Sequence, residues 1–332
     1  MARKAGVSFA NLICRFGEKF VLLDYAREIV IPAFTDRTLS RSYGRTHYFF
    51  LDVGVEIRPV DNGAVPAIFV YGRLVKDTVL EREQVYSSEQ GLVTAPQTLA
   101  TAPSSFFTLI LNNHKLMYLS ETQDAPSLQV FSATLQKFLS LKYHEFINQI
   151  HKAGKGVTKK QLYLEIPHPV VKVVPLASKA SIEEFVGSFA IITHLEFRIL
   201  NTNDEFQMQE TYRQLRNMKN DLGASSTKLI HDNRSGLDEA QAIEQIHASS
   251  ATGNQEVKVV GKSPDGLDLR GNNQDFKLTL DAAGLPEADV DKAAELVRLY
   301  GEQSARGIIM EDAAPDADAK IRRLLGEKPE NG

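Results

Sequence analysis

Hydrophobic and polar positions first alternate along Val7–Phe16, the period of a strand. Glu18–Val30 then changes to helical spacing, with Phe20, Leu23, Ala26 and Ile29 on one stripe, and is expected to stop before Pro32. A strand over Tyr48–Arg58, the turn signal Asp61-Asn62-Gly63 and a return strand over Ala67–Val75 predict a hairpin. Residues 84–105 are rich in Ser, Thr, Gln, Ala and Pro and are expected to form a long loop. A second hairpin follows, with strands Phe106–Leu111 and Lys115–Leu119 joined at Asn112-Asn113. Ser127 is placed to cap a long helix reaching Lys152, with Leu128, Phe131, Leu135, Phe138, Phe146 and Ile150 on its buried side. Gly154-Lys155-Gly156 ends that helix, and short strands are expected at Gln161–Ile166 and Val170–Val174, separated by Pro167 and Pro169.

From Lys179 the pattern changes. A strand over Phe189–Leu200 leads to Asn203, a natural cap for a helix over Asp204–Leu222 that Gly223 terminates. A strand at Thr227–His231, a helix at Leu237–Ala248, short strands near 256–260, 267–270 and 275–280, and a helix near 287–304 complete the series. The tail from Glu311 is rich in Asp, Ala and Pro and is expected to be mobile, with an amphipathic turn around Ile321–Leu325. The implied class is α+β, with mixed or antiparallel sheets whose hairpins are packed by helices. Two lobes are expected, 1–178 and 179–310, followed by the acidic tail 311–332.

Composition narrows the picture. With 43% hydrophobic and 24% charged residues in 332, the chain can bury a full core. It has no Trp, so 17 Phe and 10 Tyr supply the large aromatic groups. Cys14 is the single cysteine, which excludes an internal disulfide and a multi-thiolate metal site. No apolar run approaches a membrane span and no signal-peptide core is present, so a cytoplasmic protein without membrane insertion is expected.

The net charge of −4 is unevenly spread. Residues 1–200 hold 22 Lys and Arg against 18 Asp and Glu, while the remainder hold 16 against 24. A phosphate-facing surface is therefore expected in the first part of the chain. The segment Arg37-Thr-Leu-Ser-Arg41-Ser-Tyr43-Gly-Arg45-Thr-His47-Tyr48 is the leading candidate, because cations on long stems beside flat rings suit phosphates and unstacked bases. A helical start would align Arg37, Arg41 and Arg45 on one face. Lys152, Lys155, Lys159 and Lys160 form a second basic cluster. The bland reading is a surface loop whose arginines meet local acids and whose rings enter the core.

Walker-type phosphate loops, GxGxxG, GxSxG and HExxH are all absent from the sequence, so ATPase, dinucleotide-binding and hydrolase-elbow readings have no support. His144 and His151, two helical turns apart, are expected to be structural or solvent-exposed rather than metal-binding. Pro264-Asp265, then Asp275-Phe276-Lys277, resembles the PD-(D/E)xK nuclease signature. That resemblance implies Mg²⁺ or Mn²⁺ held by Asp275 with Asp265 or Asp268, and Lys277 beside the attacking water. Against it, Pro264-Asp265-Gly266 is a strong turn signal that predicts Asp265 at a hairpin tip, remote from Asp275. The first choice carries no cofactor and no catalytic residue.

Ala102-Pro103-Ser104-Ser105-Phe106-Phe107, Asn112-Asn113-His114-Lys115-Leu116 and Asp124-Ala125-Pro126-Ser127-Leu128 resemble a family of uncharacterised bacterial proteins associated with mobile elements and phage-defence loci. The resemblance covers about the first 150 residues. It implies a cytosolic accessory or effector that acts on or senses foreign nucleic acid. The expected function is thus a non-catalytic DNA- or RNA-binding component of a defence system. The alternatives are the metal-dependent nuclease and an adaptor or scaffold that contacts a second copy or a partner protein of the same system.

Overall fold

The structure, a computed structural model, describes residues 6–59, 65–154, 156–203, 210–310 and 316–326. Its first part runs β1 (Gly6–Phe16), β2 (Phe20–Val21), a 3-10 turn (Leu22–Tyr25), a π turn (Ala26–Val30) and α1 (Ile31–Thr35). Three strands follow, β3 (Arg41–Tyr43), β4 (Thr46–Arg58) and β5 (Ala67–Ser87). Next come β6 (Gly91–Thr101), β7 (Ser104–Ile110), β8 (Lys115–Ser120), α2 (Leu128–Ala153), α3 (Lys159–Glu165) and β9 (Pro169–Pro175). The second part holds α4 (Lys179–Val186), β10 (Ile191–Ile199), α5 (Glu210–Asp221), β11 (Thr227–Asp232), α6 (Glu239–Ser250), β12 (Gln255–Lys262) and β13 (Asp268–Asn272). Last are β14 (Thr279–Asp281), α7 (Asp289–Ala305) and α8 (Ala317–Leu325).

The class is α+β, and every strand pairing is antiparallel. The first sheet follows the order β14-β1-β8-β7-β5-β4-β3, with β9 and β2 also on β1 and β6 on β5. The second has the order β11-β10-β12-β13.

β1 shows how alternation builds two cores from one strand. Ala10, Leu12, Cys14 and Phe16 point into a core with Phe34, Phe107, Phe131, Phe138 and other residues of α1, β7 and α2. Val7 and Phe9 point to the opposite face, where they meet Ala293, Leu296 and Tyr300 of α7. The first sheet is therefore covered by α2 on one side and α7 on the other. The second sheet buries Leu195, Phe197, Val257 and Val259 against α4, α5 and α6 through Ile182, Val186, Tyr212 and Ile246. Its other face is mainly polar, with Ile230 and Val260 among the charged residues.

Some sequence expectations need correction. The helix after β1 begins at Leu22 and runs past Pro32 to Thr35. Pro32 falls in the first turn of α1, where its missing amide proton is not needed, and the π turn before it shifts the carbonyl its ring would strike. Residues 84–105 are not a loop: they form most of a two-stranded ribbon, β5 paired with β6 from Thr78↔Thr101 to Ser87↔Gly91. Gln161–Ile166 is not a strand. Thr158 accepts from the Gln161 amide while the Gln161 side chain accepts from the Thr158 amide, and this capping box starts α3.

After Phe276, which still packs in the core of the second sheet, the chain leaves that sheet. β14 pairs with β1, and α7 packs on the first sheet. Beyond residue 310, Ala317 and Ile321 of α8 are buried in the α2 core, so this part of the expected tail is ordered helix. The turn Asp61-Asn62-Gly63, residues 204–209 of the expected Asp204–Leu222 helix and the segment from Glu311 to 315 lie outside the described residues. Asn203, at the boundary of those residues, is tied to β1. Its buried side chain accepts from the Cys14 amide at 3.0 Å and donates to the Leu12 carbonyl at 2.9 Å, replacing a missing strand partner.

A polar seam locks the two sheets together. Besides Asn203, Asn11 donates to Asn254 at 3.0 Å and buried Lys115 donates to the Thr252 carbonyl at 3.1 Å. Each such buried bond contributes about 1 kcal/mol, and more is lost if one partner is removed. Gly253 permits the close approach: its φ is +71°, and a Cβ there would lie 2.8 Å from Asn11 and Leu176.

Candidate functional site

The sequence-predicted basic segment is a hairpin, not a helix. Arg41 lies on β3, Arg45 in the turn and His47 on β4, while Arg37 precedes them in a loop, so the three arginines share no helical face. The guanidinium of Arg41 stacks 5.5 Å from the Tyr48 ring and donates to Thr134 Oγ1. Arg45 is paired with Glu81, and His47 Nδ1 shares a hydrogen bond with Ser42. Arg37 and Tyr43 are exposed. Lys152 is exposed at the far end of α2, about 27 Å along the helix axis from Thr134, and Lys159 and Lys160 are exposed at the start of α3. Lys155 lies outside the described residues. The two basic clusters do not converge.

The nuclease-like residues are also spread out. Asp265 sits in the turn joining β12 to β13, where the Gly266 amide donates to the Ser263 carbonyl. Asp268 pairs with Lys262 at 2.6 Å. Asp275 is not on a strand with Lys277: its carboxylate accepts from the Asn272 amide at 2.8 Å and closes the turn after β13. The length of β13, about 13 Å, separates it from Asp268. Among the described residues no three His, Cys, Asp or Glu side chains come together as metal ligands. His144 approaches His168, with ring centroids 5.7 Å apart, in a cluster with Tyr143 and Tyr163.

The structure instead brings cations together between the two sheets. A groove of about 650 Å³ runs between the polar face of the second sheet and the wall formed by α2 and β9. Strand alternation generates its floor. Leu195, Phe197, Val257 and Val259 turn inward, so Glu196, Arg198, Glu256 and Lys258 must turn outward. Register then places Lys228 beside Arg198 and Asn272 beside Lys258, with Arg270 next on β13. Lys172 of β9 reaches across from the first sheet to Glu256 at 3.2 Å. Gln129, Ser132 and Gln136 of α2 supply a neutral polar wall.

Five cations, Lys172, Arg198, Lys228, Lys258 and Arg270, thus line the groove with two carboxylates, Glu196 and Glu256. Glu256 is shared by Lys172 and Arg198, and Glu196 accepts from Lys228 at 2.8 Å. Lys258 and Arg270 make no ion pair among the described residues. The surplus is positive.

Lys172 and Arg198 also line a second cavity of about 380 Å³, adjoining the first. Its walls include Ile13, Val170, Ile199 and Leu200, with Arg15, Lys219, His168 and Glu18 around them. Arg15 donates to the carbonyls of Gly17, Glu18 and Thr202, and Arg216 donates to Thr202 Oγ1 at 2.7 Å. Lys219 is buried, its ammonium donating to the neutral Asn201 Oδ1 at 2.8 Å. Burial holds Lys219 below the usual lysine range; Arg198, Arg15 and Arg216 push the same way, and Glu18 opposes them. Burial, then His144, also lowers His168.

Sequence reasoning missed this site because its cations come from β1, β9, β10, β11, β12, β13 and α5, with no local spacing to mark them. Neither the family models nor the curated proteins compared with this chain gave a match.

Proposed function

We propose that this protein is a nucleic-acid-binding component of a bacterial anti-phage defence system, holding strands by their phosphates in the groove between the two sheets. The observation that carries the reading is the surplus of cations in the groove, four on the outward face of the second sheet and Lys172 on β9, beside the neutral polar side chains of α2. Phosphate backbones are recognised by such a surplus through release of condensed counterions. Among the described residues the groove lining contains no aromatic side chain, so contacts to phosphate outweigh base stacking, and binding is expected to be largely independent of sequence. The defence setting rests on the resemblance of the first 150 residues.

The test is binding of single- and double-stranded DNA and RNA across a salt series. Lys258→Glu with Arg270→Glu should weaken binding to every sequence alike and flatten the salt dependence, each lost phosphate contact lowering the logarithmic slope by about one. Replacing Arg37, Arg41 and Arg45 by Ala should change it far less, since Arg41 and Arg45 are already engaged. No measurable affinity at low salt, or equal loss from both sets, rejects the groove.

A second reading has its own observation. Beyond Asp77, β5 has only β6 as a strand partner among the described residues, leaving a ribbon about 30 Å long. One face carries Leu80 opposite Leu99 and Tyr86 opposite Leu92, exposed by 50, 63, 74 and 73%. Between these apolar pairs lie Arg82 opposite Gln97 and Gln84 opposite Thr94. That order of apolar, polar, polar, apolar is the same read from either end, so a two-fold partner would place apolar pairs on apolar pairs. A second copy of this chain is the occupant it fits. Light scattering decides: a dimer that Leu80→Ser with Leu92→Ser dissociates supports the scaffold reading, and a strict monomer at high concentration removes it.

A further inference from the structure

Building on the groove reading, we infer that the cavity around Lys219 receives the terminal phosphate of the bound strand, a phosphate monoester rather than an internal diester. Lys219 is 7% exposed, and among the described residues it forms no ion pair. A buried ammonium whose hydrogen bond goes to an amide oxygen lacks the countercharge that burial of a cation calls for. The surroundings add to the demand: Arg198 and Lys172, which share the single carboxylate of Glu256, line the same cavity and leave a surplus of positive charge around it. One carboxylate, Glu18, lies at its edge and does not contact Lys219 closely enough to form an ion pair. An anion in the cavity answers it.

The form of the anion follows from access and charge. Lys172 and Arg198 line both the groove and the 380 Å³ cavity, so the two adjoin across these side chains, and the end of a strand in the groove is inferred to pass them. Its remaining walls come from the end of β1, the Pro167–His168 turn, the end of β10 and α5. A diester inside a strand carries nucleotides on both sides, which keeps it from an ammonium this buried. A terminal monoester has one substituent, three free oxygens and about −1.5 to −2 charge at neutral pH, against −1 for a diester. Ile13, Val170, Ile199 and Leu200 offer apolar surface to the terminal sugar, and Ser225 adds a hydroxyl at the rim.

The experiment compares one short oligonucleotide with a 5′-phosphate, a 3′-phosphate or hydroxyl ends, with a nucleoside monophosphate and inorganic phosphate as competitors. A phosphorylated end is expected to bind at least about tenfold more tightly than the hydroxyl form, and Lys219→Met should erase that gain while leaving hydroxyl-end binding intact. If free nucleoside monophosphate competes for the gain and internal sequence does not, the monoester is the recognised group. Equal affinity for all three ends overturns the terminal-phosphate site but leaves the groove reading standing. Absence of binding by all three at low salt removes both. Should Lys219→Met fail to fold, the comparison of ends on the unaltered protein decides alone.

Discussion

Arg73 on β5 and Asp289, the first residue of α7, face each other through two parallel hydrogen bonds of 2.6 and 2.7 Å. Glu121 accepts from the same guanidinium at 3.1 Å, and Lys292 lies 4.9 Å from the centre of the Phe106 ring beneath it. The pair ties the helix arriving after the second sheet to the centre of the first. Both side chains are mostly shielded, so removing one partner strands the other. Arg73→Met is expected to cost about 2 kcal/mol in urea unfolding. A change below about 0.5 kcal/mol would show that α7 is held by its apolar face alone.

Acid should also weaken the fold through a second carboxylate. Hydrogen bonds from Lys142 and Thr38 pull Asp36 down to about 2, from an ordinary value near 4. A depressed folded-state value means that the contribution is complete above pH about 4 and disappears as the pH falls towards 2. Asp36→Asn should therefore lose stability at neutral pH and show a flatter decline than the unaltered protein between pH 4 and 2. Parallel curves through that window would assign the acid limb to other groups.

Cys14 is fully buried on β1, and burial pushes its thiol up to about 12. A thiol so protonated and enclosed is a poor nucleophile. Thiol reagents at pH 8 should label the folded protein only at the rate of its unfolding, and label it fully in denaturant. Rapid stoichiometric labelling of native protein contradicts this placement.

Gly271 lies on β13 beneath the ring of Phe185, where a Cβ would come within 2.1 Å of the ring. Phe185 also packs against Phe276 and Phe189, so it has little room to retreat. Gly271→Ala should destabilise by about 2 kcal/mol through overpacking. The paired change Gly271→Ala with Phe185→Leu should recover part of that loss.

How far the chain could be read depended on whether an element has a buried face. β1, the β7–β8 hairpin and α2 with its Ser127 cap all stand where apolar periodicity placed them. The β5–β6 ribbon is solvated on both faces, so no alternation marked it; Val79, Val85, Val93, Thr94 and Thr98 were the remaining signal, through β-branched preference alone. The Thr158–Gln161 box was present in the sequence and was outweighed by apolar residues that suit either element. The hairpin tip at Asp265 was legible from its turn chemistry. The groove was not, because Lys172 of the first sheet and Arg198, Lys258 and Arg270 of the second meet only after both sheets are assembled.

The pairing of Gly6, Val7 and Ser8 with Asp281, Leu280 and Thr279 sets an order of events during synthesis. The start of β1 leaves the ribosome first, yet that part of its edge waits for a strand some 270 residues later. Contacts of such separation are slow to form, and an open strand edge invites pairing with other chains in the interval. Chains stopped shortly before residue 279 would carry both sheets but keep that edge bare, and should accumulate as aggregates rather than as shortened soluble protein.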